Sequence, residues 1–260
     1  MAKLLALPAL SPRCLAVWGR NWLVWRKLAL PSILANLADP LIVLFGLGYG
    51  LGAVLGEMDG MGYFAFLGAG FVCSAAMYAA SFEALYSAFS RMHVQRTWEA
   101  IVNAPMTLED VVAGEWVWAA TKAFAAGICV LAVVAVFGEV RFPGALLALP
   151  VLVLLGLAFA ALGLAVNALA NGYDFFSYYM TVVLTPMLML SGVFFPVDRL
   201  PAAIQSVAVV LPLYHGVAVV RPLLSGEMPG AWIGHLAVIV AYAMLALYIA
   251  VVLTRRRLLR

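Results

Sequence analysis

An all-α integral membrane protein with six transmembrane helices is the fold class this sequence predicts, on three observations. Hydrophobic residues make up 66% of the 260 and charged residues 10%, with a mean hydropathy of +1.07, far outside the soluble globular range. Several apolar runs reach the roughly 20 residues that a helix needs to cross about 30 Å of hydrocarbon. Strand-type alternation is absent from those runs, so helices rather than a barrel are expected. Residues 1–260 read as a single transmembrane domain. The opening MAKLLALPAL has one Lys and an apolar run broken by Pro8, and no removable signal peptide is expected there.

Residues 11–30, SPRCLAVWGRNWLVWRKLAL, precede any span. Trp18, Trp22 and Trp25 recur at i, i+4 and i+7, so their rings share one helix face. Arg13, Arg20 and Lys27, spaced by seven, project from the opposite face. An amphipathic interfacial helix has this pattern, with indoles at headgroup depth and basic groups turned to water, anionic lipid or a partner. Plain membrane anchoring uses the same residues.

The first span is expected at 33–55, where Gly46, Gly48, Gly50, Gly52 and Gly56 form overlapping small-xxx-small pairs that let another helix approach. Asp39 beside Pro40 is costly if it faces lipid, so it belongs near the inner boundary or toward the bundle. The second span is expected at 62–88 and the third at 108–137. Between them, residues 90–106, SRMHVQRTWEAIVNAPM, read as a short polar helix across the mouth of the bundle, ended by Pro105 and suited to docking a partner. Thr107 and Asp110 match a capping box for the helix that follows. The fourth span, 144–170, is joined by NGYD to the fifth, 173–195, and the sixth is expected at 232–253.

Residues 190–225 are apolar yet cannot cross a membrane once. Pro196, Pro201, Pro212 and Pro222 cut them into pieces of about ten residues, so 196–225 read as a re-entrant hairpin. Broken backbone at membrane depth is tolerated only where protein or a water-filled cavity covers it, which puts such a segment beside a transport path. An amphipathic loop on the outer surface has the same composition. Lys3, Arg13, Arg20, Arg26, Lys27, Arg91, Arg96, Arg255, Arg256, Arg257 and Arg260 fall on one side of the predicted spans. Arg141, Arg199 and Arg221 fall on the other, with Lys122 inside the third span. The positive-inside rule then places both termini and 90–106 in the cytoplasm and the hairpin outside.

No G-x-x-x-x-G-K-[ST], G-x-S-x-G or H-E-x-x-H occurs, so no covalent chemistry is expected. Cys14, Cys73 and Cys129 are odd in number and widely separated in apolar context, and read as packing residues. His93, His215 and His235 fall in three separate segments, too scattered for a metal site. Glu83, Glu115 and Lys122 lie near the cytoplasmic boundary. Glu115 and Lys122, seven apart, share a face and read as a stabilising pair with each other or a neighbour. These groups with Asp39 raise an ion-coupled secondary transporter as the alternative, against which no carboxylate falls near the midplane. A lipid-modifying enzyme using Asp39, Asp174 or His215 lacks an assembled constellation. Tyr78, Phe82 and Tyr86 are four apart on the second span, and Phe175, Tyr178 and Tyr179 share a face at the start of the fifth, followed by Met180. Rings stack on sugar or acyl groups and Met adapts its shape, which suits an amphipathic substrate; bundle packing draws on the same residues.

Three stretches resemble the permease subunits of type-2 ABC exporters, and together the resemblance covers nearly the whole chain. WEAIVNAPMTLEDVVAGE, 98–115, is similar to that family's coupling helix and following turn. YDFFSYYMTVVLTPMLMLSGVFFPVDRLPAAIQ, 173–205, is similar to its fifth span and outer hairpin, and LPLYHGVAVVRPLL, 211–224, to its closing segment. The middle stretch is most like the nodulation-protein-J subgroup, permeases associated with lipo-oligosaccharide export. The resemblance implies a homodimer in the bacterial inner membrane, joined to two copies of a separate ATPase that binds ATP and Mg. No cofactor, catalytic residue or nucleic-acid partner is then expected of this chain. It implies that the amphipathic and coupling helices meet the ATPase, which points to Trp18, Arg20, Trp22, Arg91, His93, Arg96, Trp98 and Glu99. It implies a path lined by the first, second and fifth spans, here Tyr78, Phe82, Phe175, Tyr178, Tyr179 and Met180. An outer gate would involve Phe194, Phe195, Pro196, Tyr214, His215 and Arg221. The implied activity is ATP-driven export of a lipo-oligosaccharide, glycolipid or drug-like amphipath.

Overall fold

The computed structural model describes residues 5–9, 11–103, 105–138 and 140–258, without the side chains at 35–37 and 39. Lys3, Arg260 and the Asp39 side chain, used in the sequence argument, lie outside the described residues. The chain opens with α1 (Cys14–Trp25), passes through a single 3-10 turn and runs on as α2 (Ala29–Gly50) and α3 (Gly52–Leu55). A small antiparallel hairpin follows, β1 (Glu57–Met58) against β2 (Met61–Gly62), an element absent from the sequence reading. Its signal is Asp59-Gly60: both take positive φ, 52° and 75°, as a two-residue hairpin turn requires.

The central helix, α4 (Tyr63–Phe82), is buried along almost its whole length. It does not end near residue 88 as expected. Two five-residue π turns, Glu83–Ser87 and Ser90–Val94, carry it unbroken to Val94. The polar residues that marked a boundary in the sequence, Glu83 and Arg91, are paired inside the protein, so the helix need not stop at them. The chain turns at Arg96, whose φ of 51° is left-handed. The helix expected over 90–106 is accordingly only α5 (Thr97–Val102).

α6 (Leu108–Val136) begins at the expected capping box: the Asp110 amide donates to Thr107 Oγ1 at 3.2 Å, and the Thr107 amide to the Asp110 carboxylate at 3.1 Å. α7 (Gly144–Leu169) follows. The fifth apolar helix is α8 (Asp174–Tyr179) and α9 (Thr185–Leu190), joined by a π turn at Met180–Leu184. It ends at Leu190 rather than near 195, because Gly192 adopts a φ of 78° and Arg221 holds its carbonyl at 2.5 Å. α10 (Ala202–Ala208) and α11 (Pro212–Ser225) then meet at 88°. Pro212 opens α11, but Pro222 lies within that helix and does not cut it. The chain closes with α12 (Trp232–Leu258).

Among the described residues, four helices are long and apolar enough to cross a membrane: Tyr63–Val94, Leu108–Val136, Gly144–Leu169 and Trp232–Leu258. The bent α10–α11 pair is a fifth candidate. The protein is therefore a multi-pass helical membrane protein. α7 packs on α12, α6, α4 and α11, and α4 packs on α6. Of the first-span glycines, Gly48 and Gly52 face Phe64 and Tyr63, Gly56 sits in a turn, and Gly46 and Gly50 meet open space, so the small-residue stripe is only partly a packing seam.

Basic side chains gather at the end that carries α5. Arg13 Nη1 donates to Pro105 O at 2.7 Å, and Arg255 pairs with Glu109 at 2.7 Å. Arg257 Nη1 caps α7 through the carbonyls of Asn167, Ala168 and Ala170 at 3.1, 3.1 and 2.6 Å. Arg221 lies at the opposite end, beside the turn after α9.

Candidate functional site

At the basic end, two carboxylates and three cations from three helices close into one network beneath α5. Arg91 sits at its centre, with Nη2 2.8 Å from Glu83 Oε1 and 2.5 Å from Glu115 Oε2, and Nε 2.9 Å from Glu115 Oε1. The Trp98 indole of α5 donates to Glu115 at 3.3 Å, and that of Trp118 to Glu83 at 2.8 Å. From α1, Asn21 Nδ2 donates to Glu115 at 3.1 Å, while Arg20 donates to Asn21 Oδ1 at 2.6 Å and stands 3.7 Å from Glu115. Lys122 and Glu115 pair with neighbours rather than with each other, one of the two arrangements expected from the sequence. Lys122 reaches Glu83 at 3.4 Å and Ser32 Oγ at 3.2 Å, because Arg91 already occupies Glu115. The Glu115 side chain is 0% exposed and Glu83 6%. Buried carboxylates are tolerable only when paired and hydrogen-bonded, so α1, α4, α5 and α6 are held in one block. Burial pulls the Arg20 guanidinium below its ordinary value, Glu115 opposes that, and the group stays cationic at neutral pH.

The residues expected to meet a partner divide into two sets. Trp22, Arg96 and Glu99 are exposed. Trp98, at 2% exposure, is not a surface contact, while Arg91 is largely buried on the two carboxylates and Arg20 reaches toward Glu115 with its side chain still 31% exposed. Trp18 donates to Thr121 Oγ1 at 3.0 Å and stacks on Trp22, and the His93 ring lies 4.3 Å from that of Phe89. A cavity of about 370 Å³ opens between α5 and the end of α12, lined by Trp98, Glu99, Val102, Asn103, Leu108 and Leu258.

A second cavity, about 360 Å³, runs along α4, with Tyr78, Phe82, Met180 and Phe194 in its wall together with Phe71 and Ser74. It unites three of the predicted path residues with one predicted gate residue. Phe175 and Tyr178 point outward instead, and the Tyr179 hydroxyl is buried without a hydrogen-bond partner among the described residues. The sequence reading missed Phe176, fully buried among Tyr86, Phe89 and Tyr173. It equally missed Asn21 and Trp118.

At the opposite end, Phe194 packs edge-on against Phe71, Pro196 is buried and Phe195 half-buried. Arg221 lies 3.6 Å over the Phe66 ring and donates to Gly192 O and, at 3.3 Å, to Phe66 O. Arg221→Met removes both charge-assisted bonds, and a loss of about 2–4 kcal/mol in detergent unfolding is expected, with faster proteolysis of the 191–201 turn. Unchanged stability would show that the α9–α11 contact does not depend on the guanidinium. His215 and His235, read as scattered, meet: their Nδ1 atoms are 2.7 Å apart beneath Tyr214, because the bend before α11 folds it against the start of α12. His215 Nε2 lies 2.9 Å from Val209 O; if it donates there, His235 carries the shared proton. No third ligand joins them, and the described residues contain no group suited to a metal ion.

The described residues thus form a multi-pass bundle with a ring-lined side cavity and a charge network tied to a short helix at one end. The model of the ABC-2 type transporter family matches residues 12–225. The chain is 50% identical to Nodulation protein J of Rhizobium meliloti (strain 1021) over 255 residues, 98% of this chain and 97% of that one. It is 50% identical over 254 residues to the protein of that name from Rhizobium leguminosarum bv. viciae, covering 98% of each. It is 27% identical to the inner membrane transport permease YadH of Escherichia coli (strain K12) over 165 residues, 64% of each chain. The chain belongs to the ABC-2 type transporter family and is an ABC transporter permease.

Proposed function

We propose that this chain is the transmembrane subunit of an ATP-driven exporter, acting as a homodimer with two copies of a separate ABC ATPase that holds ATP and Mg. The observation that carries the reading is the network joining α1, α4, α5 and α6. Glu99 of α5 and Arg96 at the turn before it face a partner, and the cavity between α5 and α12 gives that partner a seat. Buried Trp98 transmits the motion inward through Glu115 to Arg91, and so to the π turn that begins at Ser90 in the extended α4. The cytoplasm is on that side by the positive-inside rule.

In this reading α2–α3 and α8–α9 complete six spans, and the α10–α11 pair is a re-entrant outer hairpin. The exposed Phe175 and Tyr178 of α8 face the second protomer. The cavity at Tyr78, Phe82, Met180 and Phe194 is one wall of the path, and its ring-rich lining suits an amphipath such as a lipo-oligosaccharide, the substrate class that the family resemblance implies. An ion-coupled mechanism is disfavoured, because Glu83, Glu115 and Lys122 are spent on one another and on Arg91.

The test is to tag the protein, solubilise its native membranes gently and identify by mass spectrometry what co-purifies in stoichiometric amount. A Walker-motif ATPase at about one copy per permease is expected. An intact dimer free of any ATPase that transports under a proton or sodium gradient would overturn the reading.

A further inference from the structure

Within the network, Arg91 takes the short contacts to both carboxylates, while Lys122 and Arg20 stand off at 3.4 and 3.7 Å. Trp98, Trp118 and Asn21 occupy further carboxylate lone pairs. The two outer cations are therefore the least compensated. Both line a cleft of about 350 Å³, whose wall also holds Arg91, Ser32 and a single carboxylate, Glu83. Among the described residues, no protein acceptor meets Arg20 Nη1.

The rim of the same cleft is apolar. Val24 and Leu28 line it and are 63% and 62% exposed, and the exposed strip continues along the chain to Leu30 and Leu34. A cationic floor opening onto an exposed apolar wall, at the junction of an interfacial helix with a first membrane helix, has the two-part chemistry of a phospholipid. The phosphate is an acceptor for Arg20, Lys122 and the Ser32 hydroxyl, and the acyl chains cover Val24 and Leu28.

We propose that this cleft binds the phosphate headgroup of an anionic phospholipid, whose charge completes the balance of the network. Bound there, the lipid bridges α1 to α6 and stiffens the block on which coupling depends. The site is independent of what the protein transports.

The full-length protein in detergent micelles would be titrated in native mass spectrometry with phosphatidylglycerol, with phosphatidylcholine, and with inorganic phosphate as competitor. One phosphatidylglycerol per chain is expected, with at least about a tenfold preference over phosphatidylcholine. The Arg20→Gln/Lys122→Gln pair should weaken retention about tenfold or more. Val24→Glu, an exposed change that leaves every ion pair intact, should do the same without altering thermal unfolding. Equal retention of both lipids, or undiminished phosphatidylglycerol retention in Val24→Glu, would overturn the proposal. Displacement of the lipid by millimolar inorganic phosphate, equal in wild type and Val24→Glu, would assign the site to a free anion and also overturn it.

Discussion

Replacing Glu115 with alanine is expected to cost about 3–5 kcal/mol of stability, the penalty for leaving a buried charge without its partner. Arg91 would keep only Glu83, the Trp98 indole and the Asn21 amide would lose their acceptor, and Arg20 would lose its nearest carboxylate. Thermal unfolding of the purified permease reads this loss. A second variant separates stability from coupling: Arg91→Met with Glu115→Leu replaces one pair by apolar groups and leaves Glu83 to Lys122. It should regain much of the stability while, in the ATPase complex proposed above, ATP hydrolysis no longer responds to substrate. A Glu115→Ala protein as stable as wild type would show that the network contributes nothing to holding the block together.

Gly114→Ala, one residue earlier, acts by shape alone. The added Cβ would lie 2.5 Å from Val17 Cβ and 2.7 Å from the backbone oxygen of Cys14, which cannot move without shifting α1. Overpacking of this kind costs about 1–3 kcal/mol. Here the strain is relieved by lifting α1 off α6, which breaks the Trp18–Thr121 and Asn21–Glu115 hydrogen bonds. The expected result is normal membrane insertion, faster tryptic cleavage at Arg26 and Lys27, and, in the complex proposed above, weakened coupling to the ATPase. Gly50→Ala, whose Cβ meets open space, is the control. Equal cleavage rates in the two variants would show that α1 is not seated through Gly114.

Much of the fold was legible because its signals are local. The capping box at Thr107 and Asp110 needs only three residues, and the structure holds both of its bonds. The ends of α6 and α7 follow from apolar runs bounded by Pro and polar turns. The end of α4 was misplaced because a π turn has no composition of its own: Glu83 and Arg91 look like a boundary until their partners are known. The same limit explains the site. Tyr78, Phe82 and Met180 were found as rings and thioether at helical spacing, but which face of the fifth helix turns inward depends on the rings α8 packs against, Tyr86, Phe89 and Tyr173. Phe176 is thus buried while Phe175 and Tyr178 are exposed. Glu83, Glu115 and Lys122 were picked out as costly charges. Their link to Trp98 and Arg91 crosses 17 and 24 residues of sequence and three helices, and no spacing rule reports it.

The sequence by itself determined that this chain lives in a membrane, that it does so as helices, and which end of the bundle is basic. Those properties follow from transfer free energies and charges that sum along the chain, whatever touches what. Tertiary structure alone decided which charges neutralise one another, which aromatic rings face the cavity and that two histidines meet across a bend. Desolvation and pairing depend on distances of a few ångströms between helices, and those distances exist only once the helices have packed.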